Sequence, residues 1–189
     1  MFSKEKLSVV LAEFLGTAML ASIVLVASNM FGLGTAAWYT ALSAGVALSL
    51  IVSVFGSVSG AHVNPAVTLG LWTLKKIETM DAVVYIASQM LGGATALLFY
   101  NYATGESLAA SGSGSFAWPA FVTELVGTAL FGMGIASVVF QKLEGYHAAI
   151  TIGMSLTLGA LVASLGSAGF LNPAVALGNN AWDRTLIFA

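Results

Sequence analysis

Gly60-Ala61-His62-Val63-Asn64-Pro65-Ala66-Val67-Thr68-Leu69-Gly70 is answered 108 residues later by Ala168-Gly169-Phe170-Leu171-Asn172-Pro173-Ala174-Val175-Ala176-Leu177-Gly178. The two stretches share Asn-Pro-Ala-Val-x-Leu-Gly. Asn is a good helix N-cap, and Pro is favoured at the first helical position, where an N–H would have no intrahelical partner. Each copy therefore reads as the start of a helix. After the first copy, residues 66–74 make about two and a half turns at ~3.6 residues per turn before Lys75-Lys76, too few to cross a bilayer. A short, polar-capped helix in an apolar chain predicts a re-entrant segment that lines a cavity, because lipid tolerates irregular backbone nowhere else. Its N-terminus would direct about half a positive charge into that cavity.

The surroundings of the phrase are those of a membrane protein. Of 189 residues, 58% are hydrophobic and 7% charged, with 21 glycines, and mean hydropathy is +0.94. The net charge of −2 gives no argument for nucleic acid or for an acidic substrate. Without cysteine there is no disulfide framework or thiol chemistry, and two distant histidines make no metal cluster. No cofactor is called for.

Taken in order, a short polar start with Lys4 and Lys6 leads into a first span over about residues 7–28, which carries Glu13. Its length, its carboxylate and the lack of a small-x-small cleavage site argue against a signal peptide. Gly32-Leu33-Gly34 turns the chain into a second span, about 36–55. The first phrase and its half-helix, 64–74, follow, closed by Lys75, Lys76, Glu78 and Asp81. A third span covers about 82–102. Residues 104–115, rich in Gly and Ser, have linker composition. Beyond them lie a fourth span near 116–140, a polar loop to His147, a fifth near 148–165, and the second phrase with its half-helix, 172–180.

The halves repeat beyond the phrase. At the same offset of 108, Gly45, Leu48, Leu50, Val54 and Ser59 match Gly153, Leu156, Leu158, Val162 and Ser167. Upstream, Glu13-Phe14-Leu15-Gly16-Thr17-Ala18 returns as Glu124-Leu125-Val126-Gly127-Thr128-Ala129. We therefore read a first repeat over 1–103, a linker over 104–115 and a second repeat over 116–189. With the N-terminus in the cytoplasm, Lys4, Lys6, Lys75, Lys76 and Lys142 fall inside and only Arg184 outside. Three spans per half invert the second half relative to the first, so the half-helices enter from opposite faces and meet near the midplane. Such inverted repeats with broken helices mark solute pathways.

Along nearly its whole length the chain resembles the aquaporins, the major intrinsic protein family. The resemblance rests on Ser59-Gly60-Ala61-His62-Val63-Asn64-Pro65-Ala66-Val67-Thr68, on Glu13 and Glu124, on Gln89-x-x-Gly92-Gly93 and on Asn172-Pro173-Ala174. It implies an all-α, right-handed bundle of six spans and two half-helices, one pore per subunit and a homotetramer in the cell membrane. Asn64 and Asn172 would donate amide hydrogens to a passing water while backbone carbonyls ahead of each phrase accept from it. The facing helix ends would repel cations, and transport would be passive.

Two departures from the family pattern stand out. Where aquaporins characteristically carry Arg after the second Asn-Pro-Ala, this chain has Val175, and the flanking filter positions map onto Ala44, Ala160 and Gly169. Four small or apolar residues predict a wide, hydrophobic outer constriction. The second departure is at the end: nothing after Trp182 is long enough to cross a bilayer, so five full spans are present and the sixth is missing, as in a fragment.

The remaining polar residues have plainer readings. Glu13 and Glu124 recur by repeat and are expected to brace the re-entrant loops rather than relay protons, with His62 as a third brace. His147 reads as a solvated interfacial residue. Ala41-x-x-x-Gly45 and Thr128-x-x-x-Gly132 read as close contacts between spans, and Trp38, Trp72, Trp118 and Trp182 as interfacial anchors. The function that follows is a passive channel for water or small uncharged solutes. A glycerol, ammonia or urea facilitator, a coupled transporter and a non-conducting truncated protein are the alternatives; against the transporter, no midplane charge cluster suits a coupling ion.

Overall fold

The computed structural model describes residues 4–31, 37–110 and 116–181. The expected turn at 32–34, Trp182, Arg184 and the tail after it lie outside the described residues. Among the described residues seven helices occur in the order α1 (Lys4–Phe31), α2 (Ala37–Ser59), α3 (Pro65–Thr73), α4 (Thr79–Thr104), α5 (Trp118–Gln141), α6 (Gly145–Ala163) and α7 (Pro173–Gly178). Among the described residues there is no strand. Five of the helices, α1, α2, α4, α5 and α6, are long and apolar enough to cross a membrane. At ~1.5 Å per residue even α6, the shortest of these at 19 residues, nearly matches the ~30 Å hydrocarbon core.

The short helices begin where the phrases place them. Asn64 and Asn172 are the N-caps of α3 and α7, each in extended conformation with Pro at the first helical position. Asn64 Oδ1 accepts from the Ala66 N–H at 2.8 Å, and Asn172 Oδ1 accepts from those of Ala174 at 3.0 Å and Val175 at 3.3 Å. The long helices overrun the expected spans: α1 starts at Lys4, and α4 runs from Thr79 until Gly105, left-handed at φ +71°, caps it. Lys, Glu and Thr at those ends extend a helix into the polar boundary at little cost.

The polarity of the bundle is inverted relative to a water-soluble protein. Leu7, Leu11, Leu15, Met19 and Ile23 form an exposed stripe down α1, and Val46, Leu50, Val54 and Val58 another down α2. The recurrence every four residues puts each stripe on one helix face. Glu13, Gln89, Asn64, Thr68, Glu124 and Asn172 are instead buried. A bilayer is the solvent that suits this arrangement, because it leaves the polar groups to find partners inside.

Small residues set the helix contacts. α1 packs on α2 and α4, α5 on α6, and α2 on α6. At the α2–α6 crossing Gly45 lies against Gly153 and Thr157, so close that an added Cβ on either glycine would overlap the other helix. There the Thr157 hydroxyl donates to the Ala41 carbonyl at 3.2 Å, and the Ala41–Gly45 pair is a true contact. Thr128–Gly132 is not, because nothing lies within 4 Å of a Cβ built on Gly132. The close approaches on α5 are made by Gly127, against Gly159, and by Gly134, against Ser155. A four-residue spacing names a helix face without saying which face is covered.

The half-helices are enclosed differently. α7 packs against α4 and α1, with all of its residues buried; α3 packs against α4 and keeps an exposed side. Gly93 permits the α4–α7 contact, since a Cβ there would overlap the Ala174 backbone.

Candidate functional site

The two loops that precede α3 and α7 are built alike around a buried carboxylate. Glu13 Oε1 accepts from the Ser59 hydroxyl at 2.6 Å and the His62 N–H at 3.0 Å, while Oε2 accepts from the Val63 N–H at 2.8 Å. Glu124 Oε1 accepts from the Ser167 hydroxyl at 2.6 Å and the Phe170 N–H at 3.1 Å, while Oε2 accepts from the Leu171 N–H at 3.0 Å. Each serine in turn accepts from a loop N–H, Ala61 at 3.1 Å and Gly169 at 3.0 Å. A buried carboxylate that accepts several hydrogen bonds is a structural anchor, since each bond offsets part of its desolvation.

That anchoring holds the backbone in an unfavourable shape. Ala61 and Val63 have φ of +47° and +39°, and their counterparts Gly169 and Leu171 have +68° and +52°. A β-branched or bulky residue at such values costs on the order of 1–3 kcal/mol and persists only when its surroundings over-determine it. Here they do. Val63 gives its N–H to Glu13, and its carbonyl accepts from the Asn172 amide at 2.8 Å. Leu171 gives its N–H to Glu124, and its carbonyl accepts from the Asn64 amide at 2.8 Å. Each loop is thus clamped by the carboxylate of its own half and the asparagine of the other.

The crossed bonds also define what the asparagines can still do. A carboxamide carries two N–H donors. One on each asparagine is committed to the opposite loop, leaving one on each for something else. Asn64 and Asn172 line the same cavity, together with Ala44, Ala160, Gly169 and Val175. The four positions matched to the family filter therefore share one wall system with both N-caps. The cavity measures about 30 Å³, room for two or three waters at ~10–15 Å³ each, and Leu20, Val24, Leu48, Phe131 and Phe170 also line it. A Cβ on Gly169 would come within 2.6 Å of the Ala160 carbonyl oxygen, so those two positions already touch.

His62 also lines the cavity. Its Nδ1 lies 3.1 Å from the Thr68 hydroxyl, and its ring packs tilted by 48° against Tyr85 with centroids 4.7 Å apart; the Tyr85 phenol donates to the Ser59 carbonyl at 2.7 Å. Gln89 completes this side: its amide donates to Glu13 Oε2 at 2.8 Å and to Thr68 Oγ1 at 2.9 Å. Gln89, Thr68 and Tyr85 are residues that sequence reasoning did not assign as braces. The motif contained Thr68 and the family stretch contained Gln89, but neither signal says what a side chain on α4 reaches. Ser59 and Ser167 were visible as a matched pair in the repeat. Phe131 gave no signal at all. Among the described residues no group of His, Asp and Glu side chains comes together as metal ligands do.

Known proteins resemble the chain in sequence and in fold. The family model described as "Major intrinsic protein" matches residues 1–188. Aquaporin AqpM of Methanothermobacter thermautotrophicus is 32% identical over 168 residues, which cover 78% of this chain and 68% of that protein. Glycerol uptake facilitator protein-like 6 of Lactiplantibacillus plantarum is 33% identical over 181 residues, covering 89% of this chain and 81% of its own. The fold matches the X-ray structure of the aquaglyceroporin from Plasmodium falciparum with a TM-score of 0.74 over 95% of this chain and 81% of that one, at 24% identity.

Proposed function

The chain belongs to the major intrinsic protein family, and from that premise we propose that it conducts water and small uncharged solutes passively through the cavity between Asn64 and Asn172. The observation that carries this reading is the pair of crossed asparagine–carbonyl bonds in one cavity wall. It brings two helix N-termini to one point, each with a spare amide donor. Donors fixed on opposite sides of a narrow passage orient a water between them, and two positive helix ends disfavour a cation there. No covalent step and no energy source is involved.

In this reading Glu13, Glu124 and His62 hold the loops, and Ala44, Ala160, Gly169 and Val175 form the outer filter. The chain comprises two inverted repeats and works in a cell membrane with its N-terminus in the cytoplasm, as a homotetramer. The exposed apolar faces of α1, α2, α4 and α5 suit lipid and neighbouring subunits.

A facilitator for glycerol, ammonia or urea is the second reading. Val175 in place of a filter cation favours it, as does the similarity to a protein named as a glycerol uptake facilitator. The 30 Å³ cavity favours water. Stopped-flow light scattering on proteoliposomes, challenged in parallel with sucrose and glycerol, separates the two. Fast water flux with a low activation energy, abolished by combining Asn64→Asp and Asn172→Asp, is expected. Flux equal to that of empty vesicles from folded, inserted protein would sink the channel reading.

A further inference from the structure

Hydrocarbon side chains make up most of the cavity's lining, with Thr40, His62, Asn64, Ser164 and Asn172 as the polar exceptions. Leu20, Val24, Ala44, Leu48, Phe131 and Val175 are among its lining. A water-sized passage with such walls tends to empty, and dewetting of this kind closes pores. A polar group within the apolar stretch is what keeps a file of solute continuous.

One side chain in this wall stands apart. Thr40 lines the cavity and is only 9% exposed. Its hydroxyl is the buried side-chain oxygen left without a hydrogen-bond partner among the described residues. Buried hydroxyls elsewhere in the bundle are satisfied: Thr17 and Ser88 bond to carbonyls one turn back, and Thr157 bonds to the Ala41 carbonyl. An unsatisfied buried polar atom in a native fold requires an explanation, and a bound water is one of them. Thr40 sits one helical turn before Ala44, so the two share a face of α2. Rotation about its first side-chain torsion exchanges Oγ1 with the methyl group, a movement between staggered wells. As placed, Oγ1 has almost no accessible surface, so contact with a solute in the cavity requires that rotation.

We propose that Thr40 Oγ1 is the solute-binding group of the outer passage, hydrogen-bonding each water or hydroxyl-bearing solute beside Ala44 where Val175 offers no polar contact. The proposal rests on the channel reading above. A hydroxyl both donates and accepts, so it serves a neutral solute in either orientation and adds no fixed charge. Thr40 thereby sets specificity for neutral hydrogen-bonding solutes at a point the asparagines do not reach.

The test compares water permeability and its activation energy in proteoliposomes holding wild type, Thr40→Val, Thr40→Ala and Thr40→Ser, with folding checked by circular dichroism and elution profile. Thr40→Val keeps the volume and removes the hydroxyl; Thr40→Ala removes both; Thr40→Ser keeps the hydroxyl. If the hydroxyl is what matters, Val and Ala variants both lose about threefold to tenfold in permeability, as expected for one lost hydrogen bond, with raised activation energies, while Ser stays within about twofold. Should Thr40→Val fold poorly, Thr40→Ala decides alone. A Thr40→Ala variant as fast as or faster than wild type would mean that Thr40 acts by size, and overturns the proposal with the channel intact. Wild type no faster than empty vesicles would overturn the channel reading and this one with it.

Discussion

Leu69-Gly70 and Leu177-Gly178 are the same dipeptide at the same place in the two copies of the phrase, and they live in opposite surroundings. Leu69 is 41% exposed and Leu177 is 5% exposed. A Cβ on Gly70 would meet nothing within 4 Å, whereas one on Gly178 would lie 2.9 Å from the Ala21 Cβ and 3.1 Å from the Gly93 carbonyl oxygen. Identical letters fix the start and cap of each half-helix. What covers the far side is decided by α1 and α4, which enclose α7, while α3 packs on α4.

The carboxylates test the comparison most severely. Glu13→Ala and Glu124→Ala each leave buried loop donors without an acceptor, and each is expected to cost about 3–5 kcal/mol. Glu13 carries the additional Gln89 contact, so its loss should be the greater. Thermal unfolding of the purified protein in detergent measures both, and equal midpoints would show that the Gln89 bond contributes nothing. Next comes Leu177→Ala, expected to cost about 2 kcal/mol. In a bilayer that cost is lost packing rather than exposure to water. Leu69→Ala should shift stability by less than about 0.5 kcal/mol, since that position touches solvent or lipid.

Gly178→Ala should destabilise by about 1–2 kcal/mol through overpacking against Ala21 and Gly93, whereas Gly70→Ala should be neutral within ~0.5 kcal/mol. If both glycines tolerate alanine, the enclosure of α7 is looser than its contacts suggest. Gln89→Leu is expected to cost about 1 kcal/mol. A double-mutant cycle with Glu13→Gln sharpens it: a coupling near zero would place Gln89's contribution with Thr68 instead.

Much of this molecule is legible in its sequence, for physical reasons that differ by feature. The spans are legible because hydrocarbon demands about twenty apolar residues in a row. The half-helices are legible because Asn-Pro is a local signal whose N-cap bonds lie within three residues. Glu13 and Glu124 are legible because a duplicated carboxylate inside apolar spans has few tolerable roles. What is hidden depends on which surfaces meet. Gln89 reaches Glu13 across 76 residues, and no periodicity records that. Thr128 and Gly132 mimic a packing motif although a Cβ on Gly132 would meet nothing within 4 Å, while Gly127 and Gly134 form the close contacts. The rest of the cavity wall is equally hidden, since Leu20, Val24 and Phe131 complete it beside the four small filter positions.

The crossed asparagine bonds also impose a timetable on synthesis. Asn64 finds its carbonyl partner at Leu171, 107 residues further along the chain. At ~5–20 residues per second the ribosome delivers that partner roughly 5–20 s after Asn64 itself. During the wait the first loop is held from within its own half, by Glu13 with Ser59, His62, Val63 and Gln89. Every bond that holds the first loop to Glu13 thus joins residues of the early half, and the Asn172 amide that closes on the Val63 carbonyl is made last.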